Sequence, residues 1–204
     1  MPRRRFPDVL RALRWYDYAV VIGGLFVVAW LGQLPDPAPR LYDAETRITY
    51  HGDRKMRDTA REAFEQDFAT GAYFGAFYEA SDGAYGWATG HNSPQAAQAN
   101  ALAHCAQYAE DCALKAELLP AGWTEGAGLT LRAEAARSFA DYLQGTGARA
   151  FAMSENGASG WADGRATIWS ARSAALDLCE DRRAKNQPAH LPDWPCRVVD
   201  ARWR

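Results

Sequence analysis

Residues 81–90 read SDGAYGWATG, and 74 positions later residues 155–164 read ENGASGWADG. Aligned without a gap, residues 76–105 and 150–179 share twelve of thirty positions: Ala76, Phe77, Gly83, Ala84, Gly86, Trp87, Ala88, Gly90, Ala97, Ala101, Leu102 and Cys105 recur as Ala150, Phe151, Gly157, Ala158, Gly160, Trp161, Ala162, Gly164, Ala171, Ala175, Leu176 and Cys179. Upstream, AREAFEQDF at 60–68 resembles AARSFADYL at 135–143, one residue out of step. A period of this length, present twice, is too long and too few for a solenoid. It predicts two duplicated supersecondary units packed together.

Each unit reads locally in the same way. Ala60, Phe64 and Phe68, like Ala135, Phe139 and Leu143, are four residues apart and place an apolar stripe on one face of a first helix, which Gly71 and Gly145 would end. Asp82-Gly83 and Asn156-Gly157 then lie between short apolar runs, the pairing that supplies positive φ for a tight hairpin turn. Gly86 and Gly160 weaken a strand unless another element comes close, so a close approach is expected there. Trp87 and Trp161 are expected to be core anchors over a helix, with exposed ligand platforms as the alternative. A second helix opens at Ser93 as N-cap and Pro94 at the first helical position. Its face is formed by Ala97, Ala101, Leu102 and Cys105, mirrored by Ala171, Ala175, Leu176 and Cys179. The runs beginning at Cys112 and Cys196 return as strands. The predicted class is α+β, with two tandem α-β-β-α-β units at 55–119 and 120–204.

The four cysteines fall one at the end of each second helix and one at the start of each following strand. Three connectivities are possible, and the repeat favours Cys105 with Cys112 and Cys179 with Cys196. The second pair encloses the hydrophilic stretch EDRRAKNQPAHLPDWP, expected to be a surface loop. A zinc site, suggested only by His104 beside Cys105, and buried free thiols are the competing readings.

Residues 18–35 carry no charge, and as a helix they would extend about 27 Å, close to a hydrocarbon core. Trp15, Tyr16, Tyr18 and Trp30 sit near the two ends, where amphipathic rings prefer the headgroup level. An uncleaved transmembrane anchor is expected; a cleaved signal peptide and a buried soluble helix are the alternatives. Arg3, Arg4, Arg5, Arg11 and Arg14 precede the span, which keeps residues 1–17 in the cytoplasm and places the remainder across an inner membrane, in the periplasm. That compartment permits disulfides. The proline-rich start of 36–54 reads as a linker. The chain has a formal net charge of −2 and no basic cluster after Arg14, which argues against nucleic acid as a partner.

Chemistry is sparse. His51, His91, His104 and His190 show no metal-ligand spacing and are expected at the surface or in turns. No nucleophile elbow and no phosphate- or dinucleotide-binding glycine motif occurs, so no catalytic residue, cofactor or metal is assigned. Among the carboxylates, Glu79, Asp82, Glu155 and Asp163 lie near the hairpins and are the candidates for chemistry there.

The motifs GAFYEASDGAYGWATG, ANALAHC and Cys112, with AFAMSENGASGWADG, AALDLC and Cys196, resemble a bacterial secreted cysteine-containing domain of unknown function, the 4189 type, in two tandem copies. The resemblance covers roughly residues 72–116 and 149–200, and Ser159 in place of Tyr85 and the longer second cysteine loop depart from it. It implies no activity. The expectation is a single-span protein with a periplasmic, non-catalytic binding or protein-interaction domain, with an accessory subunit of a membrane or envelope complex as a variant of that reading. A peptidoglycan-directed hydrolase and a structural spacer are the alternatives.

Overall fold

The computed structural model describes residues 38–53, 55–185 and 188–203. The tail at 1–17 and the expected anchor at 18–35 lie outside the described residues; no described helix is long and apolar enough to cross a membrane. The fold is α+β, with two disulfides and two antiparallel sheets.

In the first unit, β1 (Thr46–Tyr50) leads into α1 (Asp58–Ala63), which continues as a π-helical turn over Phe64–Phe68. Then come β2 (Gly75–Glu79), β3 (Tyr85–Ala88), α2 (Pro94–Cys105) and β4 (Ala113–Pro120). The second unit repeats the series from the first helix onward: α3 (Ala133–Gln144), β5 (Ala148–Met153), β6 (Ser159–Arg165), α4 (Ile168–Lys185) and β7 (Arg197–Trp203). Strand orders are β1-β4-β2-β3 and β6-β5-β7. The run β4-β2-β3 therefore corresponds to β7-β5-β6, and even the irregularity is copied, since the pairing to the last strand slips between Phe77 and Tyr78 in one sheet and between Phe151 and Ala152 in the other. The segment 36–54 is not only a linker. Its β1 pairs along β4, from Thr46 opposite Pro120 to Tyr50 opposite Ala116.

Each sheet is covered on both faces. Phe64 and Phe68 meet Phe77 from the α1 side, ring centroids 5.4 Å apart in both cases; Phe139 meets Phe151 from α3 at 5.0 Å, edge to face. On the opposite faces, α2 and α4 lie flat against their hairpins through alanines. A Cβ added at Gly86 would stand 2.2 Å from the Cys105 backbone nitrogen, and one at Gly160 would stand 2.5 Å from that of Cys179. The expected close approach is present twice. Leu102 differs from expectation: it is 40% exposed, because five residues after Ala97 it has rotated off the buried face of Ala97, Ala101 and Cys105.

The hairpins turn through three residues. Ala80 N–H donates to Ala84 O at 2.8 Å and Gly83 N–H to Ala80 O at 3.0 Å, with Gly83 at φ +95°; Ser154, Ala158 and Gly157 repeat this with φ +101°. Asp82 and Asn156 are not themselves at positive φ; their side-chain oxygens accept from the N–H of Ala84 and Ala158. This is a type I turn closed by a left-handed glycine. Trp87 and Trp161 are half-buried, on the α1 and α3 faces respectively. Both disulfides form as the repeat favours, Cys105–Cys112 and Cys179–Cys196, with Cα separations of 6.2 and 6.1 Å.

Candidate functional site

The two units join where the repeat breaks. After Gly90 the first copy reads His91-Asn92-Ser93, whereas after Gly164 the second reads Arg165-Ala166-Thr167. Asn92 is fully buried, and every polar group it has is satisfied by the second half of the chain. Its N–H donates to Glu155 O (2.9 Å) and its Nδ2 to Ser154 O (2.7 Å). Its backbone oxygen accepts from Thr130 Oγ1 (2.5 Å) and its Oδ1 from the Arg132 N–H (2.9 Å). The tip of the second hairpin is thus held on the segment following β3; a Cβ on Gly157 would come within 2.4 Å of Gly90 O.

His91 is buried, against the expectation of a surface or turn histidine. Its Nδ1 lies 3.1 Å from Thr89 O and its Nε2 2.7 Å from Asn100 Nδ2, so the neutral tautomer donates at Nδ1 and accepts at Nε2. Burial pushes its pKa down to about 4, helped by the charge of Arg132 and by His104 and opposed by the Thr89 hydrogen bond. His104, on α2, faces His190 of the second cysteine loop, ring nitrogens 3.3 Å apart; its pKa is lowered by burial and by its partner. That loop does more than cover surface, since Trp194 Nε1 donates to Asn100 Oδ1 at 3.3 Å, tying the second unit to α2.

Beside this junction lies a cleft of about 720 Å³ whose walls include Trp87, His104, Arg132, Glu134, Asn156 and Arg182. Arg183 also lines it, which brings three guanidiniums to one cleft. Arg132 Nη1 donates to Gly90 O at 3.2 Å and Nη2 pairs with Glu134. Arg182 Nη1 donates to Ser159 O at 2.7 Å, and Arg183 pairs with Glu180 and Asp193, both at 2.6 Å. The cleft combines an indole wall, neutral histidines and three guanidiniums, of which those of Arg132 and Arg183 are ion-paired. Guanidinium donors gathered beside an indole suit a ligand that brings acceptor oxygens, such as a carboxylate or a phosphate.

The carboxylates near the hairpins do not converge. Glu79 is buried and accepts from the Arg57 N–H at 2.7 Å; Asp82 caps its own turn; Glu155 pairs with Arg197 at 3.4 Å; Asp163 lies beside Gly145. Among the described residues the hydrogen-bond partners of the histidine rings are a carboxylate, a backbone oxygen, an amide and a second imidazole, and no group of three or more potential ligands could hold a metal ion. The sulfur of Cys105 is bonded to Cys112, which removes the thiolate that a zinc site beside His104 would need. Of the sequence-derived positions, the cleft gathers Trp87, Asn156 and Gly157; Asp82, Gly83 and Trp161 belong to the repeat's own architecture. Asn92, His91 and Arg132 were not singled out by motif, yet the departure of His91-Asn92 from its counterpart Arg165-Ala166 marked the place.

No family model, no curated protein and no solved structure matches this chain.

Proposed function

We propose that this is a non-catalytic binding protein of the cell envelope, anchored in an inner membrane through residues 18–35 and presenting its disulfide-stapled domain on the periplasmic side. Its ligand is an anionic group on an envelope partner, received in the cleft between the two units. The observation that carries this reading is the lining of that cleft, where the guanidiniums of Arg132, Arg182 and Arg183 gather beside the indole of Trp87. The two disulfides support the oxidising compartment, and the likeness of both halves to a secreted module of unknown function is part of the same reading.

The test has two arms. Alkaline phosphatase fused after residue 204 is expected to be active in cells, and inactive if the domain stays in the cytoplasm. A photo-crosslinking residue at Ser138, on the cleft wall, is expected to trap a discrete species in cells that the double variant R132E/R182E loses. Equal trapping by the variant would remove the cleft from the proposal.

The lowered pKa values of His91 and His104 favour one second reading, a hydrolase using neutral imidazole as base. Both nitrogens of His91 are engaged, which leaves His104 as the candidate base. Release of soluble fragments from isolated peptidoglycan by the wild type, abolished in His104→Ala, would favour hydrolysis; no release by the wild type would end it.

A further inference from the structure

The duplication supplies its own comparison for the edge of the second sheet. In the first unit the outer edge of β4 is covered by β1, with His51 N–H donating to Lys115 O at 2.9 Å and Ala121 N–H to Glu45 O at 3.0 Å. The corresponding strand, β7, is the last of its sheet, and among the described residues no strand lies on its outer side. The reason is visible upstream. The lead-in to α3, which by position matches the lead-in containing β1, is used elsewhere: Thr130 bridges Arg40 and holds Asn92 at the unit junction.

Because β4 and β7 pair with their central strands in the same register and with the same slip, Lys115 corresponds to Val199 and Glu117 to Ala201. The outward backbone groups of β7 are then those of Val199, Ala201 and Trp203. An unpaired edge of this kind is a template for another strand. Trp203 is 59% exposed on it.

We propose that the occupant is β7 of a second copy of this chain, paired antiparallel about Ala201 to give a continuous sheet β6-β5-β7-β7-β5-β6 with twofold symmetry. The register follows from two independent requirements. Centring on Ala201 sets outward groups against outward groups, 201 with 201 and 199 with 203, so the ladder closes. The same centring places Asp200 of each chain opposite Arg202 of the other, twice, in the closely spaced non-hydrogen-bonded positions where cross-strand side chains interact most. Within one chain Asp200 and Arg202 already pair along the strand, and Arg202 lies over the Tyr142 ring at 5.9 Å, so both are held in place before association. An isologous contact requires a self-complementary surface, and the alternation Asp-Ala-Arg about a dyad is one. The inference is independent of the cleft and of its ligand.

The test is sedimentation equilibrium of the full chain, kept soluble in a density-matched non-ionic detergent, across a concentration series. The wild type is expected to show a reversible monomer–dimer equilibrium. Asp200→Arg sets arginine against arginine and is expected to weaken it at least about tenfold, with the swapped variant D200R/R202D recovering most of the loss. Ala201→Pro removes the central donors and is expected to abolish dimerisation while both disulfides remain formed. Hydrogen exchange decides the occupant: amide protection at Ala201 and Trp203 that rises with protein concentration supports a second copy. Concentration-independent protection, as from another segment of the same chain, or no protection at all, overturns the proposal, as does a wild-type monomer throughout the series.

Discussion

At the residue scale, Gly86 and Gly160 carry the tightest constraint. Alanine in a strand ordinarily improves on glycine, yet here a Cβ would meet helix backbone rather than a movable side chain. Gly86→Ala and Gly160→Ala are each expected to lower stability by about 3 kcal/mol, measured by urea unfolding. A loss under half a kilocalorie would mean that the helices ride higher than described. His91 makes a pH-dependent contribution of defined sign. Its folded pKa, about 4, lies below its ordinary value, so between about pH 6.5 and 4 the unfolded chain binds a proton that the folded chain refuses. Stability conferred at neutral pH is therefore lost as pH falls through that window, by up to about 3 kcal/mol. His91→Gln is expected to flatten this segment of the stability-versus-pH curve. An unchanged slope would assign the effect to other groups.

At the element scale, each second helix is fastened to the following strand by one disulfide, and the two bridges differ in the length they close. Their sequence separations are 7 and 17. In the chain-entropy description, removing them costs about 2.5 and about 3 kcal/mol respectively, the longer loop losing more. The double alanine variants of each pair are expected to show this order in denaturant midpoints. A reversed order would locate the stabilisation in the local packing of Cys105 rather than in the unfolded chain. The elements themselves were readable because their cues are local: four-residue spacing for α1 and α3, Ser93-Pro94 for the start of α2, Gly83 and Gly157 for the turns. β1 was obscured, since a short strand after a proline-rich stretch gains its identity only from the edge of β4, seventy residues away.

At the scale of the whole molecule, the halves are expected to unfold together. Asn92 belongs to the first unit by sequence, yet the second half of the chain supplies its hydrogen-bond partners, and opening the junction would strand several buried polar groups at once. Thermal unfolding is expected to give one transition by tryptophan fluorescence and circular dichroism, and Asn92→Ala to lower its midpoint or split it in two. A wild type that already unfolds in two steps would contradict this coupling. The cleft beside the junction was invisible in sequence for the same reason, because Trp87, Arg132 and Arg182 become neighbours only when the copies dock. The amino-acid sequence by itself determined the repeated unit, its turns and its bridges, since each depends on contacts within one copy and was written twice. How the copies meet, which edge stays open and where charge collects were decided by tertiary structure, because those contacts join residues that differ between the copies and lie far apart along the chain.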